Sequence, residues 1–246
     1  MSKEFLDNWT QAKNLEEEGH RLFQKGEYQK SAELHKKAAD LFKKNIEFID
    51  LNNEKIRKRV LGNYSIELAN YYYSLATLYT GEKQKALINY QQAIKELKKS
   101  LQEYETLKEK KRYHLEINTL KIMLHFFLAH ENLCLAQINF LNENYPKAIE
   151  FFKTAEIHNN LELEFISEIN DFERLKRAKA RLYYIKGQIF RSNALLAIQN
   201  EHRKEAKENY LNASEFFENA SKLYPKWTEY KELAKKTKRM AAAIKD

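Results

Sequence analysis

Glycine, proline and cysteine are scarce in this 246-residue chain, with five, two and one copies respectively. Proline and glycine break helices and punctuate turns, so their scarcity argues for long helices and few loops. The single cysteine, Cys134, excludes an internal disulfide and every multi-cysteine metal site, and it suits a reducing compartment. The glycines stand alone at 19, 26, 62, 81 and 187, so there is no glycine-rich phosphate loop. Long apolar runs are missing too. The most apolar stretch, "TLKIMLHFFLAHENLCLA" (Thr119–Ala136), is interrupted by Lys121, His125, His130 and Glu131. It falls short of the ~18 to 20 uninterrupted apolar residues that a membrane span needs. The opening "MSKEFLDNWTQAKNLEEEGH" has no signal-peptide core, and a soluble, cytoplasmic protein is expected.

What is present is helical. Apolar positions recur with helical period almost throughout, and no stretch alternates as a strand would. Lys, Glu, Leu, Ala and Asn dominate; 43 basic residues against 35 acidic give +8. That excess favours anionic partners, but it is interleaved with acids as on a solvated helical surface. Turns are expected at Gly26, at Leu51–Asn53, at Gly81, at "NENYP" (Asn142–Pro146), at Gln199–Asn200 and at Tyr224–Pro225. Between Asn159 and Asp171 the apolar pattern loosens, which predicts a connector or a frayed end. Trp227 to Ile244 reads as a final helix with a lysine-rich outer face. No linker or composition shift marks a boundary, so residues 1–246 are expected to form a single helical domain.

A short motif follows successive turns: a small residue, an aromatic or its substitute four later, then alanine three further on. It occurs as Ser31–His35–Ala38, Ala86–Tyr90–Ala93 and Ala148–Phe152–Ala155. The fourth copy fits twice, as Ala206–Tyr210–Ala213 and as Ala213–Phe217–Ala220. Ahead of these lie small residues among bulky ones: Gly19 with Leu22, Ala76 with Leu75 and Tyr79, Ala136 with Leu135 and Phe140, and Gly187 with Tyr183 and Phe190. Small residues let two antiparallel helices approach closely, and the aromatic fills the groove toward the next pair. Leu34, Ala38 and Leu41 are accordingly expected to be buried.

These residues resemble the tetratricopeptide repeat family, over Leu15–Phe42, Leu75–Ala93, Leu135–Ala155 and Tyr183–Pro225. Family repeats recur about every 34 residues, whereas the motifs here start at 31, 86, 148 and 206. Helices of about 25 residues, ~38 Å long, look more like the elongated hairpins of soluble NSF attachment proteins. The stretch around Gly26–Phe42 is also similar to the three-helix microtubule-interacting-and-trafficking domain. The resemblance implies an all-α, right-handed array of about four long antiparallel helical hairpins plus a C-terminal capping helix.

The sequence points away from an enzyme. His130 and Cys134 lie four apart and could form half a metal site, with no clear second half; a small buried thiol is the plainer reading. Glu17 and His20 form a single Glu-x-x-His pair where a bundle di-iron centre needs two, and they read as a surface pair. No metal or cofactor is expected.

In helical-hairpin arrays the first helices line a concave groove that takes ligands. On the first helix of the fourth hairpin, Arg174, Arg177, Arg181, Tyr184, Gln188 and Arg191 step by three or four along one polar stripe. Arg59, Asn63, Asn70, Tyr73 and Thr77 lie along one face of the second hairpin's first helix, and His130 and Gln137 are the candidates on the third. Guanidinium groups beside tyrosine and amides suit carboxylate, phosphate and extended peptide backbone. The carboxylate clamp of tetratricopeptide domains is unmatched: Asn70 stands on the third helix, but the first offers Glu16 and His20 and the fifth His130 and Leu133. Three basic runs remain, Lys55–Arg59, Lys108–Arg112 and Lys235–Arg239. The last two are expected near helix ends, where cations meet the C-terminal dipole.

The expected role is a non-catalytic adaptor or scaffold for a protein or peptide partner, acidic or phosphorylated, or for a partner helix. The alternative is a basic helical protein that binds nucleic acid or an anionic membrane surface. A fourteen-three-three-like phosphopeptide dimer is a third option by architecture alone. The sequence leaves the oligomeric state open.

Overall fold

The computed structural model describes residues 2–50, 53–106 and 113–244. Among the described residues there are nine helices and no strand: α1 (Lys3–Gln24), α2 (Tyr28–Glu47), α3 (Glu54–Leu78), α4 (Lys83–Glu105), α5 (His114–Leu141), α6 (Tyr145–Ile169), α7 (Phe172–Gln199), α8 (Arg203–Leu223) and α9 (Thr228–Ala243). None of these helices is long and apolar enough to cross a membrane.

Side-chain caps start four of them. Ser2, Asn53, Asn144 and Asp171 accept hydrogen bonds from the backbone N–H groups of Phe5, Ile56, Lys147 and Arg174, which satisfies donors that a helix start leaves open. Gly26 ends the first hairpin's turn at φ 82°, a left-handed conformation that suits glycine. Asn170 closes α6 the same way at φ 55°.

The chain divides into two compact units, residues 1–127 and 128–246. The division falls inside α5, where the sequence has no linker. In the first unit Phe5, Ala12, Ala38, Phe42 and Val60 form one core, with Trp9, Leu15, Leu41 and Ile46 packed against it. In the second, Ala136 of α5, Ala148, Phe152 and Ala155 of α6, Ala180 and Ile185 of α7, Ala213 and Phe217 of α8, and Tyr230 and Ala234 of α9 share a core.

The glycines on the first helices show how closely the paired helices approach. A methyl group at Gly19 would lie 2.9 Å from the His35 ring, one at Gly187 2.6 Å from the Phe217 ring, and one at Gly62 would overlap the Tyr104 ring. Each contact fixes an antiparallel register. Moving two turns up one helix and down its partner reaches another small residue facing a bulky one. That register sets Ala12 opposite Phe42 in the first hairpin and Ala194 opposite Tyr210 in the fourth, pairs that share a core, and it matches Ala69 with Leu97 and Ala76 with Tyr90 in the second; all eight are buried. The fourth motif therefore fits twice because both fits are used: Phe217 covers Gly187 and Tyr210 packs with Ala194.

Four expectations need correction. Residues 159–169 are not a connector; α6 runs through them to Ile169, with Asn159, Glu162 and Ile166 buried. Polar side chains fill the apolar register there because they have partners inside the fold. Leu34 and Leu41 are half-buried rather than buried, while Ala38 is fully enclosed; the larger side chains lie at the edge of the contact stripe. The stop expected at Leu51–Asn53 comes earlier, since α2 ends at Glu47 and Asn53 caps α3; Leu51 and Asn52 lie outside the described residues. Lys235–Arg239 sits mid-helix, and the last turn of α9 carries no basic residue, so the dipole does not explain that run. The run Lys108–Arg112 also lies outside the described residues.

Candidate functional site

The sequence-predicted residues on α3 sit where α3 meets α1. The exposed Arg59 guanidinium lies 5.7 Å from the Trp9 ring centroid. Asn63 donates to the Arg59 carbonyl at 2.8 Å and accepts from Lys13 Nζ at 3.3 Å. Asn70 is buried, and its carbonyl accepts from Ser74 Oγ at 2.9 Å. Tyr73 is half-buried in an aromatic cluster, 4.8 Å from Phe23, 5.4 Å from Phe126 and 5.0 Å from Phe127 between ring centroids. Thr77 Oγ1 donates to the Tyr73 carbonyl at 3.0 Å. Only the Arg59 end of this face offers charge to solvent.

Deeper in the same unit lies a polar layer that apolar periodicity does not reveal. His35 Nδ1 and Glu67 Oε2 are 2.8 Å apart, Ser31 Oγ and Ser74 Oγ 3.1 Å, and the exposed His20 ring stacks edge-on over His35 at 4.9 Å. Burial pushes the Glu67 carboxyl up, with the His35 contact opposing it. Histidine at the aromatic position of the first motif is the visible signal: a polar ring in a core slot calls for a buried partner.

In the second unit α5 and α7 bring five of the predicted residues together, largely inside. Arg181 is 4% exposed. Its guanidinium donates to Asn159 Oδ1 at 2.6 Å, pairs with the Glu162 carboxylate, and lies 3.4 Å from His130 Nε2. Asn159 in turn donates to the Ala178 carbonyl at 3.0 Å. Gln137 Nε2 donates to Tyr184 Oη at 3.2 Å, and Tyr184 stacks 5.3 Å from Tyr230 of α9. Gln188 is buried one turn further along α7. Burial pushes the Tyr184 phenol up, holds the Glu162 carboxyl above its ordinary value against the pull of Arg181, and keeps the His130 imidazole well below its ordinary value, with Arg181 adding to that depression.

The polar stripe on α7 is thus divided. Arg174 and Arg177 are exposed at its start, with Arg174 3.3 Å from Asp171 and Arg177 donating to the Glu173 carbonyl at 3.4 Å. Arg181, Tyr184 and Gln188 face inward, and Arg191 is half-buried against Phe140 at 4.6 Å. Charge reversal at Arg181 therefore breaks an internal pair and does not report on binding. The residues missed from sequence are Asn159 and Glu162, which sit seven and ten positions after Phe152, in the register of a continuing buried stripe.

Cys134 is buried, and among the described residues no three His, Cys, Asp or Glu side chains gather as a metal site would need. On α9, Glu232, Lys235, Lys236, Arg239, Met240 and Ala243 line a shallow open depression of about 450 Å³. Compared with known proteins, the chain matches no family model and no curated protein sequence.

Proposed function

We propose that the protein is a non-catalytic adaptor, with tetratricopeptide-like hairpins in a right-handed array and α9 as their cap. It binds an acidic or phosphorylated peptide, or a partner helix, along the first helices of the hairpins. One observation carries this reading: small-over-large packing recurs in hairpins of both units, as a scaffold built from one repeated supersecondary unit requires. Further support comes from the first helices, which meet one another through aromatic and polar side chains at Trp9–Arg59, Phe23–Tyr73 and Gln137–Tyr184, with Tyr184 stacking in turn on Tyr230 of α9. The exposed cations on them, Arg59, Arg174 and Arg177, suit carboxylate and phosphate groups.

The test is equilibrium binding to pools of acidic and phosphorylated peptides, with neutral pools as control. Selective binding that weakens in an Arg174→Glu, Arg177→Glu variant is expected. Equal binding of neutral and acidic pools defeats the reading. A second reading rests on α9, whose Lys235, Lys236 and Arg239 border an open depression and fit phosphate groups of nucleic acid or an anionic membrane surface. Affinity that falls steeply with salt and vanishes on charge reversal of these three would favour it.

A further inference from the structure

Arg191 is a half-buried cation without a counter-charge. No carboxylate among the described residues pairs with it, and its Nε is enclosed with no hydrogen-bond partner. Its guanidinium lies over the Phe140 ring of α5, and its Nη1 reaches Gln188 Oε1 at a long 3.4 Å. Two phenols interact electrostatically with the same guanidinium: Tyr145, the first residue of α6, and Tyr210 of α8. Tyr210 is fully buried and its hydroxyl has no hydrogen-bond partner either. Of the four buried side-chain polar atoms left unsatisfied among the described residues, two are donors, Arg191 Nε and Tyr210 Oη, and Tyr210 packs with Ala194, one turn along α7 from Arg191.

Such an arrangement is costly unless something occupies it. A buried donor without a partner gives up its hydration for nothing, and an unpaired cation gives up more. The surrounding groups also agree in sign. The guanidinium and the two phenols can donate, Gln188 offers its oxygen to Arg191, and the start of α6 adds the positive end of a helix dipole. Glu143, in the exposed α5–α6 turn, places a carboxylate beside Tyr145. Phe140 and Tyr145 flank that turn, with ring centroids 5.6 Å apart, so this edge of the cluster borders an exposed turn.

We propose that Arg191, Tyr145 and Tyr210 form a binding site for a single oxyanion group, a carboxylate or a phosphate. Arg191 supplies the charge and a forked pair of donors, the two phenols supply hydrogen bonds, and the Phe140 ring backs the guanidinium. That the oxyanion is carried by a peptide rests on the adaptor reading above; the site itself does not.

The experiment uses the full chain, with inorganic phosphate and acetate as probes at ionic strength matched with chloride. Thermal unfolding and isothermal titration are followed for the wild type and for Arg191→Met and Tyr210→Phe. A saturable rise in melting temperature is expected with one or both probes. Phosphate alone identifies a phosphoryl group as the natural ligand chemistry, and acetate identifies a carboxylate. Arg191→Met should abolish the rise, and Tyr210→Phe should weaken binding about tenfold, the usual worth of a hydrogen bond to a charged group. Without a probe, Arg191→Met should melt at or above the wild type, because it keeps the stem on Phe140 and removes an uncompensated charge. The proposal fails if neither probe exceeds chloride, if the variants respond like the wild type, or if Arg191→Met melts well below it. Phosphate binding at Arg191 without peptide binding would defeat the adaptor reading and leave this site standing.

Discussion

Alanine in place of Gly187 should destabilise the protein, although α7 would gain a better helix former. The gain is about 1 kcal/mol for alanine over glycine inside a helix. Against it, the new methyl would meet Phe217 Cε1, Cδ1 and Cζ at 2.6, 2.7 and 2.9 Å. Ordinary carbon contacts lie at roughly 3.5–4.0 Å, so the ring must retreat by about 1 Å. Phe217 is fully buried in the shared core and has nowhere free to go. Overpacking of this kind costs about 1–3 kcal/mol, and three ring atoms inside contact distance place it toward the upper end. The net loss is about 1–2 kcal/mol, or a melting temperature roughly 3–6 °C lower. Gly81 provides the control: nothing lies within 4 Å of a methyl there, so Gly81→Ala should raise stability by about 0.4–1 kcal/mol. Thermal and urea unfolding of both variants, with Gly187→Ala repeated on a Phe217→Leu background, give the test. Relief of about 1 kcal/mol in the double variant is expected. A Gly187→Ala protein that melts above the wild type, or one whose loss is unchanged by Phe217→Leu, refutes the packing register.

Three other outcomes are expected. Ala38→Glu buries a carboxylate at a fully enclosed position against Phe42, so residues 1–127 should lose their fold; circular dichroism and limited proteolysis read this, and a variant that melts like the wild type contradicts it. Arg181→Met strands the buried Glu162 carboxylate and should cost about 3–5 kcal/mol in urea unfolding, most of it recovered when Glu162→Met is added; equal costs for the single and double variants would disprove the pair's role. His130 is held neutral by burial beside Arg181, so its contribution to stability is present above its ordinary value of 6.5 and is lost as pH falls below that. The stability gap between wild type and His130→Asn should therefore close or reverse on acidification, by up to about 1.4 kcal/mol per pH unit; a gap that does not change with pH counts against a depressed imidazole.

Most of the helices were legible because their punctuation is explicit. Gly26, Gly81, the Asn144–Tyr145–Pro146 start and the Asn200 stop all use chemistry that acts within a few residues. The aromatic and alanine positions of the motifs were legible for the same reason, since a contact stripe on a regular helix repeats along the chain. The second half of α6 was not. Asn159 and Glu162 break the apolar pattern, and what keeps them buried is Arg181 on the next helix, a partner that no local reading supplies. The α7 stripe was visible as a stripe, but periodicity cannot tell a solvated arginine from one satisfied inside. Arg174 and Arg181 are two turns apart on one face, and only the neighbouring helices separate their fates. Tyr210 and Arg191 were likewise readable as motif and stripe members; that the Arg191 Nε and the Tyr210 hydroxyl both lack hydrogen-bond partners appears only once four helices are placed around them.

The adaptor reading stands or falls most directly on a competition binding measurement. The full chain is titrated with acidic and phosphorylated peptide pools, with single- and double-stranded nucleic acid, and with anionic vesicles, at low and at physiological salt. The account predicts selective peptide binding that persists at physiological salt and is lost in Arg174→Glu, Arg177→Glu. Binding only to nucleic acid or vesicles, falling steeply with salt and indifferent to those two arginines, would contradict it.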